Sequence, residues 1–375
     1  MTGFVSQGKL PDFALWEKIA NRRVPLSFDL ELTARCNNDC RHCYINLPAG
    51  SPEARRKELS LAEISDLADQ AVALGALWCL ITGGEPLLRK DFPEIYLMLR
   101  RKGLLVSLFT NACLITEEHV ALLKTYPPRD IEVTVYGVTE ETYERVTRKA
   151  GSYASFQRGL GLLLGSGLMV RLKAMALQSN VHELSAIAAF CRERTSDFFR
   201  FDALLHLRHD QDPKRNAEIR LERLSPAQIV AIEQADDERA KAQEKSCDKL
   251  IFTDYSGHVC DHLFPCGAGS SSFTVSYDGI FRLCADLWHP ETTYDLRQGT
   301  LAETWNDLVP RVRDTRSSSS DFRDKCNRCP IVNLCLWCPA HAHLETGEMD
   351  GFSAYFCEVA HARAAAIQAR VQARE

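Results

Sequence analysis

Between residues 25 and 205, apolar and β-branched runs recur at Ser27–Thr33, Trp78–Thr82, Val106–Thr110, Ile131–Tyr136, Val170–Ala174 and Phe199–Leu204. Their length and their Val, Ile, Phe and Thr content predict strands. The stretches between them place apolar residues at helical spacing, as in Leu61–Leu74 and Val181–Arg194. Ser60 and Glu63 form a capping-box pattern ahead of the first of these. Strand and helix alternating six times predict an α/β fold with a parallel sheet and helices outside it. Right-handed crossovers would curl that sheet into a partial (β/α)6 TIM-like barrel. Chemistry in such barrels sits at the C-terminal ends of the strands.

The pattern then changes twice. Residues 210–246 are strongly charged, and Ser225-Pro226-Ala227-Gln228 reads as a capped helix start with Pro in the first turn. A charged helical linker with a solvated face is expected there. From Cys247 helical periodicity fades, and Cys, Gly, Ser and aromatic residues take over. Phe273–Ser276 and Ile280–Cys284 flank Tyr277-Asp278-Gly279, and an Asp-Gly turn between strand-like runs signals a β-hairpin. The expected order is a lead-in (1–24), the barrel (25–209), the linker (210–246), a small irregular cysteine-rich domain (247–360) and a C-terminal helix (361–375).

Charge and hydropathy exclude several partners. A formal net charge of −5 over 375 residues gives no electrostatic case for nucleic acid or an anionic membrane. No apolar run approaches the ~18 residues that a membrane span needs. The start of the chain lacks the apolar core of a secretory signal. A cytoplasmic protein is expected, and there the 15 cysteines are not a disulfide framework.

Eleven of the 15 cysteines fall in two sets, leaving Cys79, Cys113, Cys191 and Cys247 aside. The first set is Cys36, Cys40 and Cys43, spaced C-x3-C-x2-C directly after the first strand. Thiolates are the usual ligands of iron–sulfur clusters, which normally take four. Three close cysteines hold three irons of a cubane and leave the fourth iron open to a substrate. The competing reading is zinc with His42 as a fourth ligand. Zinc pairs, however, are normally matched by a second pair nearby, and none follows Cys43.

This pattern resembles the radical S-adenosylmethionine (SAM) superfamily, with His42 where many members carry an aromatic residue and Tyr44 following the motif. The second predicted strand ends in Gly83-Gly84-Glu85-Pro86, similar to the family segment that binds the amino group of SAM's methionine moiety. The resemblance further implies SAM contacts at Tyr44, Asn111, Thr134 and Arg148. Thr134 stands where relatives often have Ser, and Ala112 replaces the Gly of a Thr-Asn-Gly motif.

The second set runs Cys260, Cys266, Cys284, Cys326, Cys329, Cys335, Cys338 and Cys357. It resembles the SPASM extension of radical SAM enzymes, which implies two auxiliary [4Fe–4S] clusters with interleaved ligands. Cys260, Cys266, Cys284 and Cys338 would hold one, and Cys326, Cys329, Cys335 and Cys357 the other. The gap between Cys335 and Cys338 is x2, where relatives commonly have x3. A zinc ribbon made by the pairs Cys326/Cys329 and Cys335/Cys338 is the competing reading, although five residues between pairs is short for one.

The resemblance implies reductive cleavage of SAM to a 5′-deoxyadenosyl radical and modification of a ribosomally made peptide. A flavodoxin or ferredoxin would donate the electron. The roughly 25 residues before the first strand are too few for a fused leader-binding domain, so a separate chaperone would present the peptide. Oxidation of a small molecule, or a sulfatase-maturase-like activity, is the alternative. In sulfatase maturases an Asp commonly follows the hairpin cysteine directly, whereas here Ala285 intervenes before Asp286. A non-catalytic electron carrier is disfavoured by the SAM-binding segments. Asp286 and Tyr136 are the candidate catalytic residues. His206, Arg208, His209 and Asp210 leave the sixth strand toward the expected active-site mouth and are candidates for substrate contact or proton transfer. His258 and His262 flank Cys260 and are expected to be structural, and Cys247 is a spare thiol.

Overall fold

The computed structural model describes residues 22–196, 199–252 and 261–373. Six parallel strands follow one another in chain order: β1 (Ser27–Thr33), β2 (Trp78–Gly83), β3 (Leu105–Thr110), β4 (Asp130–Val135), β5 (Val170–Met175) and β6 (Arg200–Asp202). Each pairs with the next, as in a singly wound barrel, so helices between them can pack on one side. Ser60 and Glu63 make both bonds of the capping box that starts the helix Leu61–Ala73. The stretch read as Val181–Arg194 opens with one 3₁₀ turn before the helix Leu184–Arg194.

The alternation in β1 explains why the barrel interior is polar. Phe28, Leu30 and Leu32 are buried on one face. Asp29 and Glu31 therefore project from the other, because successive side chains of a strand point to opposite sides.

The hairpin does more than fold within the cysteine-rich half. Its strands β7 (Ser272–Val275) and β8 (Ile280–Arg282) join the same sheet, with β9 (Tyr294–Asp295) at the outer edge. β7 runs parallel to β1, with Ser27 opposite Ser272 and Leu30 opposite Val275. Gly279 sits at the turn with φ +89°, a conformation that a Cβ disfavours. Phe28 stacks on Phe273 at 5.4 Å, and Phe273 packs on Phe281 at 5.4 Å, so one apolar core runs through both halves.

The charged segment departs from expectation. It forms three helices, Pro213–Glu222, Pro226–Ala235 and Asp237–Lys245, rather than one. Its charges are not all solvated: Glu233 is 1% exposed and lies 2.7 Å from Arg363 of the helix Ala354–Gln372 and 3.1 Å from Arg239. Two guanidiniums offset the desolvation of that carboxylate. Among the described residues no helix is long and apolar enough to cross a membrane.

Candidate functional site

The loop that follows β1 begins with a short parallel pairing of Arg35–Cys36 with Leu47–Pro48. It brings Cys36, Cys40 and Cys43 to the wall of one cavity of about 360 Å³ at the C-terminal ends of the barrel strands. Backbone groups around the loop are held by arginines far away in sequence. Arg148 Nε donates to the Asp39 carbonyl at 2.7 Å, Arg215 to the Cys40 carbonyl at 2.9 Å, and Arg208 to the Asn46 carbonyl at 3.2 Å. Asn111 Nδ2 reaches Asn37 Oδ1 at 2.8 Å and Cys36 Sγ at 3.7 Å.

Burial raises the pKa of all three thiols, Cys36, Cys40 and Cys43, above the ordinary cysteine range. Their thiolates, which are the ligand form, therefore need a cation to stabilise them. Among the described residues, the one set of three Cys, His, Asp or Glu side chains with ligand atoms all within 4.8 Å is His206, Asp286 and His341. At least one pair of the sulfurs of Cys36, Cys40 and Cys43 is therefore more than 4.8 Å apart. Three thiols carried on one loop are a donor set that suits an iron–sulfur cluster with one iron left open.

The remaining expected cofactor residues divide. Tyr44, Gly83, Gly84, Asn111 and Thr134 line the cavity, as do Tyr136 and Asp286. Gly83 and Gly84 also let β2 close onto the backbone just before Cys36. A Cβ would lie 2.4 Å from the Thr33 carbonyl oxygen at Gly83 and 2.3 Å from that of Arg35 at Gly84. Glu85, Pro86 and Arg148 do not line the cavity. Arg148 is turned onto the cysteine loop and pairs with Asp39 at 2.8 Å and Glu218 at 2.9 Å. Pro86 opens a buried 3₁₀ turn.

Glu85 is fully buried, and its carboxylate accepts from Thr110 Oγ1 at 2.8 Å, the Asn111 amide at 2.8 Å and the Leu87 amide at 3.2 Å. Burial, only partly offset by these bonds, raises its carboxyl to about 7. The carboxylate is thus spent on fixing Asn111 against Cys36. Glu85→Ala would leave buried donors unpaired at roughly 1–3 kcal/mol each. A lowered thermal midpoint of the cluster-loaded protein is expected, alongside weaker SAM binding. An unchanged midpoint with lost SAM binding would show instead that the carboxylate is offered to the ligand.

Of His206, Arg208, His209 and Asp210, only His206 lines the cavity. Arg208 is 3% exposed, grips the cysteine loop and pairs with Asp210 at 2.6 Å. His209 stacks on Trp288 at 3.8 Å. These three therefore lie outside the cavity, with Arg208 bonded to the backbone of Cys43 and Asn46. Burial favours the neutral form of His206. Burial also opposes the charge of Asp286, but His206, His341 and Arg282 outweigh it and hold that carboxyl down to about 2.

The sequence reading passed over the inward charges of the strands. Asp29, Glu31, Glu132, Lys173 and Asp202 all line the cavity. Lys173 and Arg200 pair with Glu132 at 2.6 and 3.0 Å, while burial raises Asp29 to about 6. The signal was present: charged residues alternate with apolar ones inside strands that are buried on both faces.

In the second set, Cys326, Cys329, Cys335 and Cys357 line a separate cavity of about 280 Å³. Burial raises Cys326 to about 11 and Cys335 to about 12. Leu336 adopts a left-handed conformation, φ +51°, and ends the short helix Val332–Cys335. Cys338 does not line that cavity; burial raises its thiol to about 11, and Cys266 is among the groups that act on it electrostatically, as Cys338 is among those that act on Cys284. Cys260 and His258 lie outside the described residues, while His262 meets Asp314 at 3.3 Å. Cys247 packs near Cys329 and Cys335.

Comparison with known proteins agrees with this picture. Residues 30–183 match the model of the radical SAM superfamily. The antilisterial bacteriocin subtilosin biosynthesis protein AlbA of Bacillus subtilis (strain 168) is 26% identical over 344 residues, covering 84% of this chain and 67% of that protein. The Fe-coproporphyrin III synthase of Methanosarcina barkeri (strain Fusaro / DSM 804) is 26% identical over 332 residues, covering 81% and 80%. The crystal structure of Streptococcus suis SuiB bound to precursor peptide SuiA shares the fold, with a TM-score of 0.67 at 17% identity over 92% of this chain and 78% of that one.

Proposed function

Since the chain belongs to the radical SAM superfamily, we propose that it modifies a ribosomally made peptide, using SAM and an iron–sulfur cluster held by Cys36, Cys40 and Cys43. The bound cluster and SAM would supply a 5′-deoxyadenosyl radical. Cys36, Cys40 and Cys43 would bind the cluster, and Asn111 would orient Cys36. Gly83, Gly84, Thr134 and Tyr44 would receive SAM along the strand ends, and the cavity would keep water from the reacting centre. Two auxiliary clusters would be held by the interleaved sets, with Cys260 completing the first. Asp286 would meet the substrate, and Tyr136, against His42 at 5.3 Å, would wall the cavity beneath it. A cytoplasmic enzyme served by a small electron-transfer protein and a leader-binding chaperone fits this chemistry.

The observation that carries the reading is that both halves of the chain build one cavity. Thr274, Ala285 and Asp286 of the cysteine-rich half line it together with Cys36, Cys40 and Cys43. A substrate there would meet the auxiliary-cluster half directly, and the likeness to AlbA spans both halves. The match to the Fe-coproporphyrin III synthase supports a second reading, a tetrapyrrole substrate. Anaerobically loaded enzyme, SAM and reductant should be incubated with peptides encoded beside the gene and, separately, with coproporphyrins. Loss of two hydrogen atoms from a peptide, or deuterium uptake without loss, is the expected result. Turnover of the tetrapyrrole with every peptide unchanged would move the assignment to the second reading.

A further inference from the structure

Three side chains from three separate parts of the fold converge where the two halves meet. His206 follows β6, Asp286 follows the hairpin, and His341 lies on the helix Pro339–Thr346. Each is partly buried, and their candidate ligand atoms all lie within 4.8 Å of one another. His206 Nδ1 is 3.4 Å and His341 Nε2 3.7 Å from the same oxygen, Asp286 Oδ2. The two imidazoles meet edge to face with centroids 4.0 Å apart.

These separations are informative. Hydrogen bonds from imidazole N–H to carboxylate run at about 2.7–3.2 Å. Both distances here are longer, and His206 Nδ1 is closed off from solvent with no hydrogen-bond partner. A relay of directly bonded rings would have drawn closer. Tetrahedral coordination at about 2.0–2.1 Å places neighbouring donor atoms about 3.3–3.4 Å apart. The two distances to Asp286 are therefore nearer the spacing of a metal's ligands than of direct hydrogen bonds. Two histidines and one carboxylate are also the donor set of catalytic zinc and of mononuclear iron(II) sites that keep positions open.

We propose that His206, Asp286 and His341 form a mononuclear site for a divalent transition-metal ion, distinct from the cysteine sites. His206 and Asp286 line the same cavity as Cys36, Cys40 and Cys43, so the open position of the ion faces the substrate space. It would take an oxygen or sulfur donor of the substrate and fix it beside the reacting centre. The ion would join the barrel to the auxiliary-cluster half at the cavity rim. This holds whichever class of substrate the cavity accepts.

The test uses the anaerobically reconstituted holoenzyme, desalted and equilibrated with zinc chloride, with zinc and iron counted per chain. One zinc per chain is expected at unchanged iron. His341→Ala and Asp286→Asn should each weaken zinc binding by at least about tenfold, the lower end of what loss of even an outer-shell partner brings. Zinc K-edge X-ray absorption of the parent should show imidazole and oxygen ligands without sulfur. Should a variant lose iron as well, the absorption spectrum of the parent decides alone. Zinc no higher in the parent than in iron-replete variants, or a zinc spectrum dominated by sulfur, would overturn the proposal.

Discussion

Replacing Cys36, Cys40 and Cys43 together by alanine is expected to abolish 5′-deoxyadenosine formation and to remove one [4Fe–4S] equivalent of iron. The remaining iron should stay, because Cys326, Cys329, Cys335 and Cys357 line a cavity of their own. The fold should survive. The loop is anchored through its backbone by Arg148, Arg208 and Arg215 and by the Asp39 amide bonded to the Thr147 carbonyl at 2.9 Å, none of which uses a sulfur. Iron and sulfide counts with product analysis by mass spectrometry check this. A triple variant that still releases 5′-deoxyadenosine would remove these thiols from the reaction.

The second large effect concerns stability. Arg282, on β8, is fully buried; it lies 2.7 Å from Glu31 of β1 and covers the Trp288 ring at 3.7 Å. It also donates to the Ala285 carbonyl. Burial raises the Glu31 carboxyl, and Arg282 is the main influence that opposes this. Arg282→Ala would leave that carboxylate buried and uncompensated, a change that costs about 3–5 kcal/mol. A sharply lower thermal midpoint is expected, together with loss of order at Asp286. Adding Glu31→Gln should recover part of the loss, because the second change removes the stranded charge. A single variant within about 1 kcal/mol of the parent would show that the pair is not coupled to folding.

How far the sequence could be read depended on the range of the interaction. The strands of the barrel, the Ser60 cap and the Asp-Gly turn rest on neighbours within a few residues, and each appears close to where its pattern lies. The three cysteines after β1 were legible because one loop carries all of them. The direction of a side chain was harder. Glu85 sits in the expected segment, yet its carboxylate turns back onto Asn111, a partner on another strand. Arg148 and Arg208 turn toward the cysteine loop for the same reason: the carbonyls they satisfy come from residues more than a hundred positions away. Nor does local pattern reveal that β7 pairs with β1, or that His341 meets His206. Those are properties of the closed fold.

The pairing of β7 with β1 has a consequence for how the chain emerges from the ribosome. Among the described strands β1, carrying Phe28 and Leu30, comes first, and the flank that pairs with Ser272–Val275 stays free until those residues have been synthesised. β2 through β6 can assemble on its other side while it waits. A nascent chain therefore carries an unpaired edge, the kind of surface that recruits other chains, through most of its synthesis. A product released early, before Ser272, would keep that edge for good and would be prone to self-association. Completion of the cysteine-rich half is thus what covers this flank of β1.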